Sequence, residues 1–245
     1  MKQHEAVITS LERLGSVANL AQIYREALTV PGCAWGTRTP FASIRRIVQT
    51  RKEIYRIRAG LYGLSSARQA IEARGIFPQG DRRNAGPAAQ EFGHGYYQGL
   101  LLEIGKLRGY QTFVPQQDRR KTFLGRPLQE VRTLSVMPHF TYADIVRRSQ
   151  TIDVLWFNER MLPCAMYEVE LSTGFQDSLV KFVDLLDFSA RMVIVSDCVR
   201  RAEFEAKRNS RAFKDLRDRV QFLDLSTVAR LHEHETERSH MEVVV

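Results

Sequence analysis

At 245 residues, with 44% hydrophobic and 26% charged side chains, the chain has the composition of an ordinary globular protein of one large domain or two modest ones. No uncharged apolar run approaches the roughly 18 to 20 residues that span a bilayer, and the N-terminus MKQHEAVITSLERLG is charged too early for a signal-peptide core. A cytoplasmic protein with no membrane partner is therefore expected. Cys33, Cys164 and Cys198 are odd in number, widely spaced and set among apolar residues, which excludes a disulfide framework and a zinc-ligand spacing. All three read as small buried hydrophobes.

The net charge of +8 is unevenly spread, with nine basic residues against two acidic ones between Arg38 and Arg74. Such a face points to a polyanion partner, a solvated helix surface being the alternative. Within 4–64, HEAVITSLERLG and ANLAQIYREAL carry apolar residues at helical spacing. TPFASIRRIVQTR starts a third helix, with Thr39 as its N-cap and Pro40 at the first helical position. EIYRIRAGLYGL alternates around a tight turn at Ala59-Gly60 and predicts two short strands. Three helices and a two-stranded wing make a winged helix-turn-helix over residues 1–65.

That unit resembles the HARE-type winged-helix family through Thr39, Pro40, Ser43, Ile44, Arg45 and Arg46 on the third helix and Tyr55, Gly60, Tyr62 and Leu64 in the wing. The resemblance covers about a quarter of the chain and implies binding to double-stranded DNA, modified DNA included. In such a fold the third helix enters the major groove, which brings Ser43, Arg45, Arg46, Arg51 and Lys52 within reach of phosphates or base edges. The alternative is that Ile44, Ile47 and Val48 pack this helix while its arginines solvate it, since winged helices also serve as protein-interaction modules.

Residues 66–88 lose apolar periodicity, collect Gly, Pro and polar residues, and read as a linker. A domain over 89–245 follows. A helix runs through QEFGHGYYQGLLLEIGKLRG with Tyr97, Leu100, Leu101, Ile104 and Leu107 as its buried stripe, and strand YQTFVP follows directly. After an irregular 116–149 segment come two strands within IDVLWFNERMLPCAMYEVELS, the helix FQDSLVKFVDLLDFS, strand RMVIVS, a basic helix over 200–219 and strand VQFLDL. The polar tail HEHETERSHM reads as surface or frayed. This order predicts an α/β (α+β) protein with a mixed sheet flanked by helices.

Three carboxylates interrupt these strands. Asp153 lies in a run apolar on both parities, where an isolated charge is too costly unless paired, protonated or metal-bound. Glu168 and Glu170 share one side of the next strand. Strands lie about 4.8 Å apart and residues two apart on a strand are separated by roughly 6.6 Å, so the three acids surround one cation if the register pairs them. Hard oxygen ligands without nearby Cys or His favour Mg2+ or Mn2+, which neutralises a phosphodiester and acidifies water. The exposed face of an edge strand accounts for Glu168 and Glu170 with no chemistry at all, and that alternative stands on the residues alone.

Asp153 followed by Glu168-Val169-Glu170 in the order αβββαβ resembles the PD-(D/E)XK nuclease fold of restriction-type endonucleases. More closely, LLLEIGKLRGY, VPQQDRR, IDVLWF and YEVELSTGFQDSLVKFVDLL together are similar to a prokaryotic group with an "IDVLW … FEVE-x-ST" signature, over about 145 residues. The resemblance implies that Asp153 and Glu168 ligate Mg2+ or Mn2+, with Glu170 as a further ligand or base. Glu170 stands where the usual motif has lysine; Glu-x-Glu variants of this fold remain active, and Lys181 on the following helix is the other candidate for the missing charge. Glu103, where many relatives place an acid near the metal, joins this set, a cap or ion pair being its alternative.

Other polar residues rank lower. Asp118 with Arg119 and Arg120 follows a strand end but is also an ordinary polar turn, while His94 and Gln98, four apart on one helix face, suit packing or DNA-backbone contact. Ser172-Thr173 is expected to cap the next helix. No Gly-rich phosphate loop, Gly-x-Ser-x-Gly elbow or His-Glu-x-x-His pair is present. The reading that results is a Mg2+-dependent DNA endonuclease of restriction or genome-defence type, with a homodimer as the arrangement for cutting both strands. Its rivals are a DNA-binding regulator or a defence-complex module carrying a catalytically degenerate nuclease fold.

Overall fold

The computed structural model describes residues 1–36, 40–81, 83 and 86–244, the last three by backbone alone. Arg38 and the expected N-cap Thr39 lie outside them. The chain divides into two compact units, Met1–Ala89 with Glu233–Val245, and Gln90–His232.

In the first unit, α1 (Gln3–Arg13), α2 (Leu20–Thr29) and α3 (Phe41–Thr50) precede the hairpin of β2 (Ile54–Arg58) and β3 (Leu61–Leu64). Asn19 starts α2 with a reciprocal cap: its side chain accepts from the Gln22 N–H at 2.8 Å, and the Gln22 side chain accepts from the Asn19 N–H at 3.1 Å. Gly60, at φ +69°, closes the hairpin. Val7, Leu11, Ile23, Tyr24, Ile44 and Val48 bury the apolar faces of the three helices against Ile54, Tyr62 and Leu64. The sheet has three strands rather than the expected two, because β1 (Val17–Asn19) pairs antiparallel with β3 on the side away from β2. Three residues are too few to show alternation, and the partner, Gly63 opposite Val17, is remote in sequence. Within 66–88 a short helix α4 (Arg68–Ala73) buries Ile71, and its Glu72 is bridged by Arg68 and Arg83.

The second unit is built on a five-stranded mixed sheet. Helix α5 (Pro87–Leu107) leads into β4 (Gln111–Phe113); the following segment holds the small hairpin β5 (Thr122–Phe123) and β6 (Arg126–Pro127) and the short helices α6 (Leu128–Val131) and α7 (Ala143–Ser149). Then come β7 (Val154–Phe157), β8 (Pro163–Val169), α8 (Gln176–Val183), β9 (Arg191–Ser196), α9 (Arg201–Arg208), β10 (Val220–Asp224) and α10 (Leu225–Val244). The strand order is β10-β9-β8-β7-β4, parallel from β10 through β8 and antiparallel from β8 to β4. Leu155, Phe157, Met166, Met192 and Ile194 on the sheet pack with Phe175, Leu179, Phe182 and Phe204 of the covering segments.

Helix α5 buries Tyr96 and Leu102 as well as Tyr97, Leu100, Leu101 and Ile104 of the expected stripe, whereas Leu107, in its last turn, is only half-buried. A Cβ at Gly99 would lie 2.2 Å from the Phe123 ring, so that glycine sets how closely the β5 segment approaches.

Some boundaries differ from the sequence reading. Helix α8 ends at Val183, where Asp184 and Asp187 oppose the helix dipole. The basic helix breaks at Asn209-Ser210 into α9 and a 3-10 turn, Arg211–Leu216; both residues compete with helix by bonding backbone locally. The tail is helical rather than frayed: from Glu233 on, α10 belongs to the first unit, where Glu237 pairs with Arg45 and the His240 ring lies 5.5 Å from Phe41. Cys198 is exposed after β9 and Cys33 and Cys164 are half-buried, so none is a core residue; all three thiols are free. Among the described residues no helix is long and apolar enough to cross a membrane.

Candidate functional site

Strand register assembles the acids. Val154 of β7 pairs with Tyr167 of β8, which sets Asp153, just before β7, opposite Glu168. The period of two sends Glu168 and Glu170 to the same face, and the Glu170 N–H extends the ladder by donating to the Val195 carbonyl at 2.8 Å. Asp153 Oδ2 accepts from the Val169 N–H at 2.8 Å, and Glu168 Oε1 lies 3.3 Å from the Asp153 N–H. All three acids are buried, with Glu168 only 2% exposed.

Helix α8 supplies the polar groups that meet them. Ser178 and Lys181, three apart on one helix face, both reach Glu168 Oε2: the Ser178 hydroxyl at 3.0 Å and the Lys181 ammonium at 2.8 Å. Lys181 also donates to the Thr151 carbonyl at 3.0 Å and is therefore not the solvated lysine that its place beside Phe182 allowed. The same Ser178 hydroxyl touches Glu170 Oε1, and the Thr173 hydroxyl touches Glu170 Oε2. One hydroxyl hydrogen cannot serve both carboxylates at once, so Ser178 is shared between them while Lys181 serves Glu168. Thr173 thus faces Glu170 instead of capping α8, whose N-cap is Phe175. Arg200 fastens this turn, donating to the Glu170 carbonyl at 3.1 Å and the Thr173 carbonyl at 2.6 Å while lying over the Phe175 ring.

The electrostatics agree with crowded anions. Burial and the neighbouring Asp153 charge push Glu168 up to about 8, opposed by Lys181 and Ser178. For Asp153, burial acts upward, but the His94 hydrogen bond and charge, the Val169 N–H and Lys181 together hold it below the usual carboxylate range. Burial acts downward on Lys181, and Glu168 outweighs it, so the ammonium is held more firmly than usual.

The tightest set of ligand atoms around Asp153 is not the expected one. His94, Asp118 and Asp153 each offer an atom within 4.8 Å of the other two, while Glu168 and Glu170 meet through Ser178. His94 Nε2 is 3.1 Å from Asp153 Oδ2, and the buried Gln98 amide donates to Asp118 Oδ2 at 2.6 Å and to the Asp153 carbonyl at 3.2 Å. The i, i+4 spacing of His94 and Gln98 and the strand-end position of Asp118 are legible in the sequence; only the fold brings them to Asp153. Lys121 also joins this group, 2.7 Å from Asp118 Oδ1, without any signal in its local sequence.

Glu103 stands apart. It lies nine residues beyond His94 on α5, about 13 Å along the helix axis, and pairs with His232 at 2.7 Å and Arg126 at 3.0 Å. In the first unit, Arg46 and Lys52 are exposed and Ser43 and Arg51 half-buried, whereas Arg45 is ion-paired with Glu237 and, at 3.9 Å, Glu233. The exposed positions of α3 are Ala42, Arg46, Gln49 and Thr50.

Residues 77–244 match the model of a family described as the type II restriction enzyme NmeDI C-terminal domain. The match covers more than two thirds of the chain and contains every acid of the cluster. The chain matches no curated protein and no solved structure.

Proposed function

Since the chain belongs to the family of the type II restriction enzyme NmeDI C-terminal domain, we propose that it is a Mg2+-dependent DNA endonuclease of the PD-(D/E)XK type. In this reading Asp153 and Glu168 hold the ion, Glu170 ligates it or polarises the attacking water, and Lys181 supplies the positive charge of the motif's missing lysine. The residues fit a hard cation: Asp153, Glu168 and Glu170 are buried carboxylates, burial and the Asp153 charge hold Glu168 up at about 8, and a cation relieves that crowding. Such an ion neutralises charge on the scissile phosphate and lowers the pKa of a bound water. Lys181 orients Glu168 and balances its charge, Ser178 and Thr173 fix the rotamer of Glu170, and Arg200 holds the turn that carries it.

What supports the reading is that Glu168 stands opposite Asp153, shares the Ser178 hydroxyl with Glu170 and is met by Lys181, within a segment that matches a restriction-enzyme family. The first unit serves as a HARE-type winged helix that positions duplex DNA, with Arg46, Arg51 and Lys52 meeting phosphates, and two copies of the chain cut the two strands. Purified protein is expected to cleave DNA with Mg2+ and not with EDTA, and Asp153→Ala and Glu168→Ala to abolish cleavage while retaining DNA. Inactivity of the wild type on unmodified, methylated and hydroxymethylated substrates alike would overturn it.

The second reading is a DNA-binding regulator or defence-complex module with a degenerate nuclease fold. It is favoured by one observation, that the Lys181 ammonium already neutralises Glu168 at 2.8 Å. It requires that Asp153→Ala and Glu168→Ala leave every activity of the protein unchanged.

A further inference from the structure

Arg119 directly follows Asp118, and Gln98 ties Asp118 to the Asp153 carbonyl. The Arg119 side chain folds towards the segment after α6, where Nη2 donates to the Ser135 carbonyl at 3.3 Å. Arg132, the first residue beyond α6, stands in the same segment with its guanidinium 5.9 Å from the Phe113 ring. Backbone hydrogen bonds hold both residues in place. The Gln129 N–H donates to the Arg119 carbonyl at 3.1 Å, the Arg132 N–H to Leu128 at 3.1 Å, and the Thr133 and Leu134 N–H groups to the Thr112 carbonyl of β4 at 3.2 and 3.0 Å.

Charge is what these two side chains leave unbalanced. Arginine is not deprotonated in proteins, and both are half-buried. Among the described residues neither meets a carboxylate, whereas the half-buried Arg200 and Arg208 pair with Glu203 and Glu205. Arg119 Nε and Arg132 Nη1 are shut off from solvent and find no acceptor among those residues. Burial and the Arg119 charge push the Arg132 guanidinium below its ordinary range, so the two cations also oppose one another. A carbonyl and an aromatic ring compensate a buried cation only in part. An oxyanion between the guanidiniums removes both costs, because it offers acceptors to the unused N–H groups and a negative charge to each fork.

We propose that Arg119 and Arg132 form a phosphate clamp that holds a backbone phosphodiester of the DNA other than the scissile one. Two features select this anion. Planar guanidinium forks match the two non-bridging oxygens of a phosphodiester, and the place of Arg119, one residue beyond Asp118, sets the pair at the Asp153 end of the carboxylate cluster without drawing on any of its acids. The assignment to DNA rests on the restriction-enzyme reading; the anion site itself does not. Clamping such a phosphate fixes where the strand lies against the acids and carries no information about base sequence.

The test uses the full chain in EDTA, so that neither readout depends on cleavage. Inorganic phosphate, compared with chloride at equal ionic strength, is expected to raise the melting temperature of the wild type by about 2 °C or more beyond any rise in Arg119→Gln/Arg132→Met. In Arg132→Met, duplex binding is expected to weaken about equally for all sequences, with the slope of log K against log salt flattened by about one unit. Arg132→Lys keeps the charge and the slope but loses the fork, and binds several-fold more weakly than wild type. In chloride alone, Arg119→Gln and Arg132→Met are each expected to melt no lower than wild type, because each removes one of two opposed cations; a lower melting temperature makes the arginines structural and overturns the proposal. An equal phosphate response in wild type and double variant overturns the anion site. A phosphate response lost in the double variant with duplex binding unchanged overturns the assignment to DNA. A wild type that responds to phosphate through this pair yet binds no duplex overturns the restriction-enzyme reading and leaves the anion site standing.

Discussion

Lys181 is the residue on which the departure from the usual nuclease motif turns. Its ammonium contacts Glu168 and the Thr151 carbonyl from a helix that packs over the sheet, so the positive charge arrives at the acid from α8 instead of from β8. Lys181→Met is expected to leave the fold intact and lower single-turnover cleavage by about 10²-fold or more, the range for losing a positioned charge or proton donor. Because Glu168 then loses its cation, its carboxyl shifts further upward, and the pH dependence of cleavage moves to the alkaline side. An unchanged rate in Lys181→Met would remove Lys181 from the mechanism and leave Glu170 to act alone. The position of Lys181 was legible as a candidate because it lies one helix after the motif; its contact was not, since a lysine beside a buried phenylalanine is as readily solvated.

At the scale of elements, α5 and α10 carry the main consequences. Gly99→Ala in α5 gains helix propensity worth up to about 1 kcal/mol, yet its methyl group would meet the Phe123 ring at 2.2 Å. Overpacking of this kind typically costs about 1–3 kcal/mol and more where a ring cannot move, so a net loss of stability is expected in thermal or denaturant unfolding. In α10, Glu233 and Glu237 neutralise Arg45 of α3. Glu233→Gln/Glu237→Gln is expected to release Arg45, tighten duplex binding several-fold and steepen the salt dependence by nearly one unit for each phosphate newly contacted. Arg46→Ala should flatten that dependence by about one unit, both measured as binding against salt concentration. Helix α3 was readable from its spacing, and β2 with β3 from their alternation. The pairing of α10 with α3 was not, because it joins residues almost 200 positions apart whose local pattern is that of a polar tail.

For the whole molecule, the buried acids couple folding to pH and to metal. Glu168 is raised from its ordinary 4.5 to about 8, so the folded state binds a proton more tightly than the unfolded chain, and stability falls as pH rises from about 4.5 to about 8. His94 is also raised, burial being outweighed by Asp153; its contribution is present below its ordinary 6.5 and lost as pH climbs through the folded value. Asp153 is depressed and acts oppositely: its contribution is present above its ordinary 3.8 and lost as pH falls through the folded value. The metal-free protein is therefore expected to be most stable in mildly acidic solution and to lose stability as pH rises towards 8. Mg2+ or Mn2+, which binds deprotonated ligands, should raise the melting temperature and reverse that slope. Melting curves in EDTA and in metal between pH 5 and 9 check both signs; a metal-independent slope would separate these acids from cation binding.

The sequence by itself determined the order of the main helices and the sheet strands, the mixed sheet, the two apolar runs into which the acids are set, and the concentration of positive charge before residue 75. These properties are local, because the hydrophobic period and the cost of burying a charge are set within a few residues. Only the tertiary structure decided that Lys181 meets Glu168, that Glu103 is engaged by His232 and Arg126, that His94, Asp118 and Lys121 gather at Asp153, and that the final helix occupies Arg45. Each of these is a choice of partner among many residues of the same type, and the packing of the chain makes that choice, because it fixes which charges share a desolvated space.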